Sequence, residues 1–157
     1  MPKHEVADVE ELKSLVGREA AVSDWLEITQ QRIDRFADAT SDHQWIHVDV
    51  ERCKRESPFG TTIAHGYLTL SLIPHLSERS FGIRQPLGMT INYGSNKVRF
   101  TSPVPVGSRI RSRMTLLDVS DVAGGWQARW QVTVEIAEKD KPACVAEIIV
   151  RLYEARG

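Results

Sequence analysis

The sequence predicts an α+β domain in which one antiparallel sheet wraps around a single buried helix. Three observations carry this. Apolar and polar residues alternate strictly through three segments of the second half, the connections between those segments are short and rich in turn formers, and Ala64 to Ser80 is apolar around most of a helical circumference. A helix apolar nearly all round belongs in the middle of a structure, and an antiparallel sheet with one apolar face is the natural cover for it.

Val6, Val9, Leu12, Leu15 and Val16 recur at helical spacing and stop at Gly17, which predicts an amphipathic helix over about residues 5–17. Thr29 is a good N-cap for a second helix that carries Ile33, Phe36 and Ala37 on one face as far as about Thr40. Ser41 to Asp49 then reads as a polar loop. In the central helix, Tyr67, Leu68, Leu70, Leu72, Ile73 and Leu76 form the apolar surface, and Pro74 predicts a kink or a break. A strand is expected over roughly Met89 to Phe100. In the next, Ile110, Met114 and Leu116 alternate with Arg109, Arg111, Arg113 and Thr115. Two more follow, with Trp126, Ala128, Trp130, Val132, Val134 and Ile136 on one face of the first and Cys144, Ala146, Ile148, Val150 and Leu152 on one face of the second. The links Asp121 to Gly125 and Glu138 to Pro142 make these strands antiparallel neighbours.

The chain has 157 residues with 20 basic and 21 acidic side chains, a net charge of −1. That balance speaks against a nucleic-acid binder, and 41% hydrophobic with 26% charged residues is ordinary globular usage. No linker or repeat interrupts it, so residues 1–157 are read as one domain. Two isolated cysteines, Cys53 and Cys144, form no disulfide framework or CxxC pair. Met1 to Glu5 lacks a signal-peptide pattern, and no apolar run is long enough for a membrane span. A cytoplasmic protein without membrane contact is expected.

Two segments combine polar groups with unusual backbone demands. In Ser41 to Asp49, a carboxylate and an imidazole five residues apart, Asp42 and His47, are placed to converge on one water. An imidazole that takes a proton and a carboxylate that orients or returns one are what adding water across a polarised double bond requires. Capping by the aspartate and packing of the histidine beside Trp45 and Ile46 are the competing readings, and spacing leaves both open. In Gly60 to Gly66, Gly66 stands just inside the central helix, where an amide without an intrahelical acceptor can hold a carbonyl oxygen. Tight packing of the helix start is the alternative. His43 and His47 would share a helical face as metal ligands, but Gln44 stands where a zincin glutamate would be, and no metal is expected. Cys53 has no adjacent base in sequence, and phosphate-binding and dinucleotide-binding glycine motifs are absent.

These segments together resemble the MaoC-like (R)-specific enoyl-CoA hydratases, NodN-like branch. The matching words are Asp42-His43-Gln44-Trp45-Ile46-His47-Val48-Asp49, the run from Pro58 to Leu72, Ile91-Asn92-Tyr93-Gly94 with Asn96 to Phe100, and Pro103-Val104-Pro105-Val106-Gly107, over roughly Thr29 to Tyr153. The resemblance implies a hot-dog fold and reversible hydration of a trans-2-enoyl-CoA to an (R)-3-hydroxyacyl-CoA. It places the catalytic dyad on Asp42 and His47 and the oxyanion-holding amide on Gly66. Ile63, Ala64, His65, Tyr67, Asn92, Tyr93, Gly94 and Arg99 become candidates for substrate contact, with Arg99 toward the CoA phosphates and Tyr67, Leu70 and Ile73 toward the acyl chain. A homodimer with CoA near the subunit interface is implied, with no cofactor beyond the coenzyme A of the substrate. Gln44-Trp45 replaces the Asn-Pro of many relatives, as in the NodN-like branch, and Pro74 stands where some hydratases carry a serine. A hot-dog acyl-CoA thioesterase and a non-catalytic acyl-binding module are the alternatives.

Overall fold

The computed structural model describes residues 3–155; positions 1, 2, 156 and 157, part of the single domain expected, lie outside the described residues. From the N-terminus the chain forms β1 (His4–Val6), α1 (Val9–Lys13), β2 (Glu19–Val22), β3 (Leu26–Glu27), α2 (Gln30–Thr40), α3 (Trp45–Val48) and α4 (Val50–Glu56). It continues with α5 (Gly66–Ser71), α6 (Ile73–Ser80), β4 (Phe81–Ile83), β5 (Leu87–Phe100), β6 (Arg109–Val122), β7 (Gly125–Ile136) and β8 (Cys144–Glu154).

The alternating segments become an antiparallel sheet in the order β2-β6-β7-β8-β5, with β3 also paired to β6. The link between β6 and β7 narrows to a tight hairpin closed by the Val122–Gly125 pair, and Gly124 takes a left-handed conformation (φ 78°) that glycine adopts without steric cost. The inward residues Ile110, Met114, Leu116, Ala128, Trp130, Val132, Val134, Ile136, Cys144 and Ala146 share one core with Leu68, Leu72, Ile73 and Leu76 of the central helix. Removing this apolar area from water is the main favourable term in folding.

The central helix is broken, as Pro74 predicts. Leu72 joins α5 to α6, and Pro74 sits in the first turn of α6, where its missing N–H has no intrahelical acceptor to lose. Its surface is not covered all round: Tyr67 is 68% exposed, and Ser71, Pro74 and Glu78 are also exposed. The N-terminal helix of residues 5–17 is a correction. Residues 4–6 instead pair in parallel with residues 81–83 of β4, and helix survives only over Val9–Lys13, capped by the Asp8 side chain at the Glu11 N–H. The same burial of Val6, Val9 and Leu12 is met by a strand followed by one helical turn.

β5 pairs on one side only, with β8, and is the long edge of the sheet. Met89, Ile91, Tyr93 and Phe100 on it are 41–54% exposed. No described helix is long and apolar enough to cross a membrane.

Candidate active site

The polar segment after α2 is not a plain loop, and its local structure places both candidate groups. Thr29 caps α2 through its side chain, as expected, and Ser41 ends the helix in the left-handed region (φ 59°). The reversal directs the Asp42 N–H back onto the Ala37 carbonyl at 3.1 Å. A short helix that the sequence reading lacked, α3, then carries His47. Asp49 caps α4 by accepting from the Arg52 N–H, a structural task separate from the site.

His47 is 7% exposed. Its Nδ1 lies 2.7 Å from the carbonyl oxygen of Ile63, and a carbonyl only accepts, so the hydrogen is on Nδ1 and the lone pair is on Nε2. Its own carbonyl accepts from the Gln30 side-chain amide at 2.8 Å, and the Thr62 hydroxyl donates to the Gln30 oxygen. The imidazole is therefore fixed in tautomer and place by α2 and the segment before α5.

Burial holds the His47 pKa below the ordinary imidazole value; the bond to Ile63 and the Asp42 charge oppose this, and neighbouring His65 adds to the lowering. The base form thus persists at neutral pH. If His47 is the base, the acid limb of kcat/KM falls at a pH below the free-imidazole range of about 6.5. The linked stability effect has the matching sign: the unfolded chain takes up this proton first, so stability falls as pH drops through the ordinary value toward the lowered one. A pH–rate profile that declines already above pH about 6.5 would contradict the assignment.

His47, Ile63, Ala64, Gly66, Thr69, Phe100, Ser102, Pro103, Val104 and Ala143 surround a cleft of about 240 Å³. Gly66 is the first residue of α5, and among the described residues its N–H has no backbone acceptor. A Cβ added at Gly66 would meet the Phe100 ring at 2.7–3.0 Å, so only glycine leaves this amide open beside the ring. The Asp42 side chain is exposed, and one ligand atom each of Asp42, His47 and His65 lie within 4.8 Å of one another. His47 and Gly66 therefore share the cleft at the start of the central helix, while Asp42 stands beside the His47 ring outside the cleft lining.

Other candidates are placed elsewhere. Ile63 and Ala64 line the cleft, whereas His65 lies outside its lining, stacked on His47 with ring centroids 3.8 Å apart and planes 24° from parallel. Such rings present side-by-side lone pairs, while a zinc ion needs nitrogens converging at about 2.0–2.1 Å. His43 pairs with Asp38 at 2.8 Å on the surface, which divides it from His47 as a ligand pair. Tyr67 stands edge-on to Phe100. Asn92 lines a second, largely apolar cavity of about 480 Å³ that Ile73, Pro74, Met114 and Trp130 also line. Tyr93 lies under the Arg151 guanidinium, and Gly94 faces open space at a register shift of β5. Arg99 falls between Val98 and Phe100, so strand alternation points it to the face opposite Phe100, where it is exposed and donates to the Val98 carbonyl. Within one chain, Tyr93, Gly94 and Arg99 do not reach the cleft. Cys53 is buried against the Trp45 and Ile46 carbonyls, and burial raises its pKa, which makes it a poor nucleophile. Sequence reasoning missed Gln30, Thr62, Phe100 and Ser102; for Phe100, the alternation that placed Val98 and Phe100 on one face was the available signal.

The sequence profile of the MaoC like domain matches residues 11–139. The chain is 51% identical over 144 residues to 3-hydroxyacyl-thioester dehydratase Z of Mycobacterium tuberculosis, covering 91% of this chain and 94% of that protein. It is 45% identical over 147 residues to nodulation protein N of Rhizobium meliloti, covering 93% and 91%. The fold is similar to that of the unliganded R-hydratase PhaJ1 from Pseudomonas aeruginosa, with TM-score 0.70 at 24% identity over 88% of this chain and 82% of that one. The sheet wrapped around a central helix is thus the hot-dog arrangement.

Proposed function

The chain belongs to the MaoC-like dehydratase family, NodN-like branch, and from that premise we propose that it is a hydro-lyase interconverting trans-2-enoyl and (R)-3-hydroxyacyl thioesters, with coenzyme A as the carrier. The observation that carries this reading is the His47 imidazole, held with Nδ1–H on Ile63 and Nε2 free, in the cleft that also exposes the Gly66 amide.

In the hydration direction the thioester oxygen accepts from the Gly66 N–H, which draws electron density from the double bond and makes the β-carbon electrophilic. His47 Nε2 takes a proton from water as its oxygen bonds to that carbon, and Asp42 orients the water. The α-carbon takes a proton from the same dyad. One hydrogen and one hydroxyl have then been added on one face, and dehydration is the reverse path. The apolar cavity bordered by Ile73 offers space for the acyl chain.

The long β5 edge with its exposed Met89, Ile91 and Tyr93 supports a homodimer formed through this strand, since such an edge otherwise invites uncontrolled pairing. Pairing there would also supply a second chain's residues near Phe100, where coenzyme A would lie. We place the enzyme in the cytoplasm.

Incubation with crotonyl-CoA tests the reaction: the enoyl absorbance disappears and no free thiol forms. Appearance of free thiol would identify a thioesterase, and tight binding without conversion would identify an acyl-binding module. Either result overturns the hydratase reading.

A further inference from the structure

Of five histidines, only His47 and His65 are buried, at 7% and 2% exposed, and the reaction above uses only the first. His65 is the N-cap residue of α5, yet its side chain caps nothing. It turns instead toward the end of α2. Its Nε2 lies 2.9 Å from the Asp42 carbonyl oxygen, so Nε2 carries the hydrogen and donates it. Nδ1 is left as an acceptor, buried and without a hydrogen-bond partner among the described residues. One ring face lies against His47, and Phe36 packs against the ring at 4.9 Å.

We propose that His65 is a positioning residue of this site, fixing Asp42 through its carbonyl beside the His47 imidazole on which the ring lies, so that acid and base keep one mutual arrangement. The inference rests on the reading of Asp42 and His47 as the acid–base pair. Asp42 follows a left-handed residue, and among the described residues its exposed carboxylate accepts only a long contact, 3.4 Å, from the Gln44 N–H. Its N–H is held by Ala37, and its carbonyl is held by His65. Without the second anchor residue 42 is held on its N–H side alone, and its Cα, with the carboxylate it carries, can shift relative to His47.

A phenylalanine at this position would stack on His47 without burying an unpaired nitrogen. The ring present carries that unsatisfied atom and, in return, a donor that reaches Asp42. Buried groups of this kind call for an explanation, and sites where local stability yields to function are where they are expected. The stack also joins two stretches separated by 17 intervening residues, so the ring that holds the Asp42 carbonyl also borders His47.

Two substitutions separate positioning from simple packing. In His65→Gln the amide nitrogen falls near the place of ring Nε2 and still reaches the Asp42 carbonyl. In His65→Asn it falls near Nδ1 and does not. With crotonyl-CoA, His65→Asn is expected to lower kcat about a hundredfold while KM changes less than about threefold, and His65→Gln to stay within about tenfold of the parent. An independent readout is the pH at which the His47 ring titrates by nitrogen NMR: the Asp42 charge favours the protonated ring, so the ring titrates at lower pH in His65→Asn, where Asp42 is no longer held, than in His65→Gln. Parental kcat in His65→Asn would overturn the proposal, as would equal kcat and equal His47 titration in the two variants. If the parent converts no enoyl thioester, the proposed reaction is wrong, and the His47 titration of the two variants decides on His65 alone.

Discussion

His47→Asn and Asp42→Asn each lower kcat for crotonyl-CoA hydration by at least about a hundredfold, the lower end for positioned acid–base groups. The choice of asparagine at position 47 matters. Its side-chain nitrogen falls near the place of imidazole Nδ1 and keeps a donor for the buried Ile63 carbonyl, so the fold is not asked to leave that oxygen unpaired. What is lost is the basic Nε2. Asp42→Asn is isosteric at an exposed side chain and removes only the charge. That charge supports a protonated His47, so its removal also shifts the acid limb of the remaining activity to lower pH. Folded variants of either kind with parental turnover would remove the dyad from the mechanism.

Gly66→Ala is expected to reduce kcat by about a hundredfold to a thousandfold, as loss of one oxyanion donor does elsewhere. The new methyl group meets the Phe100 ring atoms at 2.7–3.0 Å, and the nearest include Cγ, which ring rotation leaves in place and which moves only if the side chain swings about its Cα–Cβ bond. The ring is 43% exposed and lines the cleft, so its displacement closes the space in front of the Gly66 amide. Helix propensity runs the other way, favouring alanine by up to about 1 kcal/mol. A variant with an unchanged melting temperature and lost turnover is therefore the expected result. Retained turnover would mean that the carbonyl oxygen is held elsewhere.

The parts of the fold that were legible in the sequence are those with a long, uninterrupted period. The alternation through Trp126 to Ile136 and Cys144 to Leu152 fixed strand faces correctly, and the Thr29 cap and the Pro74 break were each visible as one residue with a local steric or hydrogen-bonding consequence. Short elements were not legible. In β2, Ala20 and Ala21 are both buried across a register shift, so no alternation marks it, and the four residues of α3 are too few to show a period. Val6 fits a helical stripe and a strand equally well, and only its pairing with Ile83 decides between them.

The site divides in the same way. Asp42, His47 and Gly66 were named from motifs; Ile63 brings His47 into one cleft with Gly66, and His65, just before α5, holds Asp42 beside His47 outside the cleft lining. Arg99 was given to the CoA phosphates within the family resemblance; alternation along β5 turns it to the face opposite Phe100, outside the cleft lining. The tasks of Gln30 and Thr62 depend on contacts between separate stretches of chain, which no local pattern encodes.

Hydration of crotonyl-CoA in heavy water, with the product's configuration determined at both carbons, tests the central claim most directly. A dyad on one side of the double bond with the carbonyl oxygen on the Gly66 amide predicts a single deuterium at C2 on the face that received the hydroxyl, and the proposed (R)-specific reaction adds the R configuration at C3. An S product, deuterium on the opposite face, or free thiol in place of hydration would contradict it.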